Sequence, residues 1–276
     1  MLENLDIKRY KALKVLSFLF VFFTLWRTML FIFPPAPSEE INWWSFAWGA
    51  SYQIIALIGS IAGFTVAKSW GGRKSLFGRV ILSFAFGLLL QSVGQAIASY
   101  YVYKTGEIPY PGLDDIGFFG SVIFYIYGVF ALAKVSGVRF SLVSASKKIQ
   151  AIVIPIVLLV LSYLIFLKDY EFDWSQKLKV FLDFAYPLGQ ALYIAIAILV
   201  FLLSKKILGG MMRKPIMFII IALIIQFISD FTFLYQATNN LYIPEGVNDC
   251  MYFISYFFMS LSLIQLGIVF DKIKNS

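Results

Sequence analysis

The chain has 276 residues, of which 60% are hydrophobic and only 14% are charged, and its mean hydropathy is +0.82. Soluble globular domains carry charge on about 25% of their residues, so this composition excludes a soluble globular protein and indicates a membrane protein. The net charge of +8 is not accompanied by a basic-aromatic nucleic-acid module, and with no histidine the chain has neither imidazole chemistry nor a Ser-His-Asp triad.

Eight apolar stretches are long enough to cross a bilayer, which takes about 20 residues. In chain order they cover residues 12–33, 43–67, 77–103, 115–136, 149–167, 178–204, 215–238 and 249–270. The first is too long for a cleaved signal peptide, and the loops leave no room for a soluble domain. The sequence therefore predicts an all-α polytopic membrane protein with eight transmembrane helices, here numbered spans 1 to 8.

The basic residues predict how these spans are oriented. Lysine and arginine are retained in cytoplasmic loops, and 18 of the 23 lie in the N-terminal segment, the loops after spans 2, 4 and 6, and the C-terminal tail. The acidic residues concentrate on the opposite side. We therefore expect a multi-pass protein of the cell (inner) membrane with both termini cytoplasmic, whose basic face contacts anionic lipid.

Two similar segments, GEIPYPGLDDIGFF at 106–119 and LYIPEGVNDCMYF at 241–253, lead into spans 4 and 8. Their Ile-Pro pairs are 135 residues apart, and at this offset Gln91 falls on Gln226 and Gln95 on Asp230. We predict two halves, 1–140 and 141–276, of four helices each. Both would enter the membrane in the same direction, with shared sites at their interface.

Asp115 and Asp249 occupy equivalent positions at the starts of spans 4 and 8. A carboxylate there can accept hydrogen bonds from free backbone N–H groups and suits the positive end of the helix dipole. This helix-entry motif is thus explained by capping alone, and a part in ligand binding remains the alternative.

Three charged residues lie well inside the apolar spans, where an ionised group usually faces a partner or a cavity. Arg27 lies roughly 9 Å below the outer end of span 1, Asp230 lies about as deep in span 7, and Asp183 is one turn inside span 6. We expect Arg27 to pair with Asp230 or, as the alternative, with Asp183.

Amides and hydroxyls surround these charges in the outer half of the membrane. They fit a polar pocket open to the outside, rimmed by Tyr52, Tyr100, Tyr186 and Tyr235, although membrane glutamines also serve in simple interhelical hydrogen bonds. The predicted ligand-binding residues are Arg27, Gln91, Gln95, Asp183, Gln190, Gln226 and Asp230.

Several kinds of chemistry have no residues to support them. Cys250 is the only cysteine, so no internal disulfide or cysteine metal framework can form. The sequence has neither a Gly-rich phosphate loop nor a dinucleotide fingerprint, and no lysine lies mid-span to form a retinal Schiff base. We therefore expect no enzymatic activity, no cofactor and no metal.

The segments IPYPGLDDIGFFGSVIFYIYG and LDFAYPLGQALYI, followed by the span that carries Asp230, resemble the many-helix N-terminal sensory regions of bacterial diguanylate cyclases and histidine kinases. The resemblance implies a ligand-sensing module that faces outward or lies within the membrane. No kinase or cyclase domain follows the last span, so we expect a separate cytoplasmic signalling partner.

The resulting functional hypothesis is a sensor-like protein that binds a small ligand or lipid in an outer-half polar pocket. The main alternative is a small-solute or ion transporter built from two parallel four-helix repeats, and a structural or assembly factor without a ligand is the third. A transporter needs a pathway to both faces, whereas the polar span residues favour the outer half, which favours the sensor.

The charge distribution makes a direct prediction about topology. Cysteines introduced at Glu39, Glu107, Asp173 or Glu245 should react with a membrane-impermeant thiol reagent added to intact cells, because these positions lie in the acidic loops. Cysteines at Lys74, Ser144 or Gly210 should stay unlabelled until the cells are broken. Labelling of Lys74→Cys in intact cells would contradict the predicted orientation.

Overall fold

A computed structural model describes residues 2–34, 42–136, 145–168, 170–203, 210–238, 241 and 246–275. This part of the chain contains no strand and nine α-helices: α1 Leu2–Ile32, α2 Trp43–Ser51, α3 Ile54–Ser69, α4 Leu76–Thr105, α5 Asp114–Val135, α6 Ala145–Ser162, α7 Lys177–Leu203, α8 Arg213–Thr238 and α9 Val247–Asn275.

The prediction of an all-α polytopic membrane protein is confirmed. Seven helical stretches in the described residues are long and apolar enough to cross a membrane, and a shorter apolar helix covers Ile152–Leu167. This shorter stretch is span 5, in which α6 continues into a π-helix over Tyr163–Leu167. The protein is therefore a multi-pass protein embedded in a lipid bilayer.

Span 2 is interrupted at Tyr52 and Gln53, between α2 and α3. Two side chains bond to backbone carbonyls here: Ser51 Oγ donates to Ala47 O at 2.5 Å and Gln53 Nε2 donates to Ala50 O at 2.7 Å. Such local bonds compete with the helical hydrogen bonds, so they loosen the helix at this point. The apolar character of 43–67 predicts the span but not this break.

Six of the spans form a closed ring. Around the ring α3 packs on α4, α4 on α5, α5 on α7, α7 on α8, α8 on α9, and α9 on α3. Outside the ring, α1 lies against α9, and α6 lies against α7. Spans 2, 3, 4, 6, 7 and 8 thus surround a common interior, and spans 1 and 5 are peripheral.

Glycines bring α4 and α5 into close contact within the ring. A Cβ atom on Gly117 would lie 2.5 Å from both Leu90 O and Gly94 N, and a Cβ on Gly87 would lie 2.2 Å from the Tyr125 ring. Small residues allow helices to approach in a membrane, where no hydrophobic force drives them together. The start of α5, and with it Asp115, is thereby held against α4.

The interior of the ring differs between its two ends. We call the end where α5 and α9 begin the polar end, and the end where α1 begins and α9 finishes the terminal end. Toward the terminal end the buried interior is mainly apolar, with a few buried serines, and includes Val80, Ile81, Phe84, Leu132, Ala197, Val200, Ile216, Ile219, Ile220 and Leu266. The buried carboxylates Asp115, Asp230 and Asp249 lie toward the polar end.

A buried ion pair joins α1 to α9 at the terminal end. Arg9 Nη1 lies 2.5 Å from Asp271 Oδ2, and the same nitrogen donates to Gly267 O. Arg9 Nη2 donates to Ser69 Oγ at 2.8 Å, which adds α3 to the contact. Because both charged side chains are buried, removing either partner would leave an uncompensated charge.

Candidate functional site

The two helix-entry aspartates are bonded to tyrosines of the opposite predicted half. Tyr186 OH on α7 donates to Asp115 Oδ1 at 2.7 Å, and Tyr52 OH donates to Asp249 Oδ1 at 3.2 Å. These bonds connect span 4 to span 6 and span 8 to span 2. They lie at the two places where the ring passes from one predicted half to the other.

The capping interpretation of Asp115 is only partly right. Leu113 is the N-cap residue of α5 and makes no side-chain cap bond. Asp115 Oδ2 instead accepts from the N–H of Gly112, which precedes the helix, at 2.8 Å. One carboxylate oxygen therefore closes the turn before α5, while the other bonds to Tyr186.

Asp230 lies at the meeting point of three helices. Its Oδ1 accepts from Tyr252 OH at 2.8 Å and from Gln226 Nε2 at 3.1 Å, and its Oδ2 accepts from Tyr193 OH at 3.3 Å. Tyr193 is on α7, Gln226 is on α8 and Tyr252 is on α9. With Asp230 only 8% exposed, these neutral groups replace the water that the carboxylate has lost.

Gln91 joins the other side of the ring. Its Nε2 donates to Ser121 Oγ at 2.7 Å, and its Oε1 accepts from Tyr256 OH at 2.9 Å, so α4, α5 and α9 are connected. The matching glutamine, Gln226, accepts from Ser255 Oγ at 3.2 Å. Ser121 and Ser255 are equivalent at the offset of the two Ile-Pro motifs, within one residue.

Two fully buried amides toward the polar end, Gln190 and Asn248, are incompletely paired, and Gln53 Oε1, on a half-buried residue, also lacks a partner among the described residues. Gln190 Oε1 and Asn248 Nδ2 have no hydrogen-bond partner among the described residues, although Asn248 Oδ1 accepts from Ser229 Oγ at 3.0 Å. Gln190 lies one turn from Tyr193 and Asn248 one turn from Tyr252, in both cases toward the polar end. Buried polar atoms in proteins are nearly always paired, so each of these two atoms could accept a polar molecule as a partner.

Asp183 belongs to a separate cluster at the start of α7. It accepts from Tyr110 OH and Tyr170 OH, each at 2.7 Å, and from Lys179 Nζ at 2.9 Å. Burial and the bond to Asp183 raise the pKa of Tyr110 well above its ordinary value and raise the pKa of Tyr170 to about 12. Both hydroxyls therefore remain protonated donors at neutral pH, and they fasten the loop before α7 to the loop before α5.

The predicted ion pair of Arg27 with Asp230 or Asp183 is wrong. The guanidinium carbon of Arg27 lies 5.7 Å from the centre of the Trp48 ring, and neither of the two ion pairs among the described residues involves Arg27. The reason is lateral position, because α1 packs on α9 and span 2 from outside the ring. Similar depth in the membrane does not bring two helices together.

The other predicted residues divide between the interior and the periphery. Gln91, Gln190, Gln226 and Asp230 are buried, and Gln95 is only partly buried on α4. Of the tyrosines expected to rim a pocket, Tyr52 and Tyr186 are buried, and Tyr100 and Tyr235 are exposed on the surface.

The structure adds residues that the sequence analysis missed. Asn248, Tyr252 and Tyr256 recur every fourth residue of α9. Tyr252 and Tyr256, together with Tyr193 and Ser121, supply most of the bonds to Asp230 and Gln91. A four-residue spacing puts side chains on one helix face. The four-residue spacing of these polar residues within an apolar span could therefore have predicted a polar face of α9.

A groove of about 390 Å³ lies at the start of α7 and is lined by Phe172, Trp174, Val180, Phe181, Phe184, Ala185 and Leu188. None of the predicted ligand-binding residues lines it. Among the described residues, no three His, Cys, Asp or Glu side chains come together as a metal site.

Comparison with protein-family models, with curated protein sequences and with solved structures finds no match for this chain. The structure alone therefore defines the class of the protein and its candidate site. The protein is a multi-pass membrane protein, and the candidate site is the polar network that its six-helix ring encloses toward one end.

The two buried glutamines should respond in opposite ways to the same substitution. Gln190→Leu removes an unpaired buried carbonyl and should raise the free energy of unfolding by about 1–3 kcal/mol. Gln226→Leu removes bonds to Asp230 and Ser255 and should lower it by a similar amount. Thermal unfolding of the purified protein in detergent measures both; a loss of stability in Gln190→Leu would show that its oxygen is paired.

Proposed function

We propose that the protein is a membrane sensor that binds a small polar molecule or a lipid headgroup beside Asp230, at the polar end of the ring. The observation that carries the proposal is the pair of unpaired atoms, Gln190 Oε1 and Asn248 Nδ2. An unpaired polar atom costs several kcal/mol in a lipid environment. A ligand that donates to the first atom and accepts from the second would remove that cost.

The proposed orientation places the polar end outside the cell. The distribution of Lys and Arg supports it, since the loops at the terminal end hold most of the basic residues. The helix-entry aspartates and the Asp183 cluster then face the exterior, as a sensor of external or membrane-borne molecules requires.

We further propose that the ring consists of two related halves, 1–140 and 141–276, whose boundary falls in 137–144, outside the described residues. Two pairs of contacts support this. Asp115 with Tyr186 matches Asp249 with Tyr52 across the halves, and Gln91 with Ser121 matches Gln226 with Ser255 within them. The ligand would thus bind where span 6 of the second half meets the rest of the ring.

A single helix would carry the response across the membrane. Helix α9 has 29 residues and no internal proline, and is therefore about 43 Å long. Its first turns contact the site through Asn248 and Tyr252, and its last turns hold the ion pair of Asp271 with Arg9. A shift of α9 on ligand binding would change the surface that a separate cytoplasmic partner contacts.

The interior of the ring favours this sensor over the transporter. Below the polar network most buried side chains are aliphatic or Phe. Buried serines in this layer, such as Ser83 and Ser262, donate to backbone carbonyls of the protein, so a polar solute finds few bonding partners there. A transport cycle would have to open this packed layer at the terminal end. The sensor requires movement only of α9 and its contacts.

Cysteine accessibility distinguishes the two functions. In a Cys250→Ser background, Gln190→Cys should react with a membrane-impermeant methanethiosulfonate reagent added from the outside, because the ligand must reach this position. Ala197→Cys, which lies about two turns deeper on the same helix and is fully buried, is the matched control and should react from neither side. Reaction of Ala197→Cys from the cytoplasmic side would support the transporter and contradict the sensor.

A further inference from the structure

We propose that Asp230 is a proton-binding site, at which one proton from solution binds to Oδ2 and switches the contact between α8 and α7. This inference extends the proposed function, because the site would bind a proton in addition to the small molecule or lipid headgroup. It rests on the proposed function only for its consequence, the coupling of proton and ligand. Proton binding itself is tested without any ligand.

The first argument is the charge balance around Asp230. The carboxylate is 8% exposed, and the two ion pairs found among the described residues involve Asp271 and Asp183 instead. An ionised group inside a membrane usually has a partner of opposite charge or a water-filled cavity. Asp230 has only neutral donors among the described residues, so no positive charge there holds the carboxylate in its ionised form.

The second argument is the nature of those donors. Gln226 Nε2 and Tyr252 OH both donate to Oδ1, whereas within the described part of the chain Oδ2 accepts only from Tyr193 OH, at the longer distance of 3.3 Å. An amide N–H can only donate, but a tyrosine hydroxyl can also accept. When Oδ2 gains a proton, it can donate to the Tyr193 oxygen while both bonds to Oδ1 are kept. The geometry therefore points to Oδ2 as the protonated atom.

Among the described residues, the titratable groups that bond to Asp230 from the neighbouring helices are tyrosines. The buried carboxylate of Asp249, one turn before Tyr252, accepts from Tyr52 instead. Tyr193 lies on α7 and Tyr252 on α9, and behind them are Tyr125 on α5, 6.0 Å from the Tyr193 ring, and Tyr256 on α9, 6.3 Å from the Tyr252 ring. Reversing the Tyr193 bond would free its O–H group to donate elsewhere. Proton binding would thereby change how α7 sits against α8, which is also where Gln190 lies.

Infrared difference spectroscopy of the full chain in lipid nanodiscs tests the proposal, with acidic and alkaline buffer as the only variables. Acidification should produce the carbonyl band of a protonated carboxylic acid that is lost in Asp230→Asn. Asp183→Asn is the matched control and should keep the band, because Lys179 already balances the Asp183 charge. A spectrum of Asp230→Asn identical to that of the unmodified protein overturns the proposal.

Tyr193→Phe gives an independent test if Asp230→Asn does not fold. Removing the hydroxyl that contacts Oδ2 should shift the frequency of the carbonyl band, whereas Tyr100→Phe, at an exposed tyrosine, should leave it in place. A band that does not move in Tyr193→Phe contradicts the assignment of the proton to Oδ2. Because these spectra use no ligand and no cysteine reagent, the sensor function and proton binding can fail separately.

Discussion

The structure depends on one constraint: polar side chains inside the membrane must be satisfied by the protein itself, because lipid offers them no hydrogen bonds. Asp230 meets the constraint by accepting from three helices, and Gln91 meets it by joining α4, α5 and α9. Each bond is worth only about 1 kcal/mol between membrane helices. Each bond forms only between particular helix faces, so together the bonds determine which helices are neighbours.

The same constraint gives the two ends of the ring different properties. Toward the terminal end the interior is mainly apolar, and the bonds of Arg9 to Asp271 and Ser69 fix α1 against α9 and α3. Toward the polar end, amide atoms such as Gln190 Oε1 and Asn248 Nδ2 lack a partner in the described part of the chain, and several bonds involve tyrosine hydroxyls, which can donate or accept. Alternative hydrogen bonding is therefore easier at the polar end, as the proposed ligand and proton binding require.

Much of the fold could be predicted because length and hydropathy are local properties of the chain. Spans such as 77–103 and 115–136 correspond closely to α4 and α5. The break at Tyr52 could not be predicted in this way, since it comes from particular side-chain bonds to Ala47 O and Ala50 O. A hydropathy pattern carries no information about such bonds.

The sequence predicts how deep the residues of the candidate site lie in the membrane, but not which helices are neighbours. Gln91, Gln226 and Asp230 were identified from their position in apolar spans, and the structure buries all three. Their partners Tyr193 and Tyr252 were missed, because a tyrosine in an apolar span is usually read as an aromatic anchor. The predicted partner of Arg27 lies on the wrong helix. The sequence distance from the end of a span gives only the depth of a residue in the membrane, whereas the order of the helices in the ring determines which side chains are adjacent.

Two tyrosine–aspartate bonds, which connect span 4 to span 6 and span 8 to span 2, should hold the ring closed. The most direct measurement is a double-mutant cycle on unfolding free energy with Asp115→Asn and Tyr186→Phe, repeated with Asp249→Asn and Tyr52→Phe. Direct partners should show coupling of about 0.5–3 kcal/mol in both cycles. Additive losses in both cycles, within about 0.3–0.5 kcal/mol, would contradict the account.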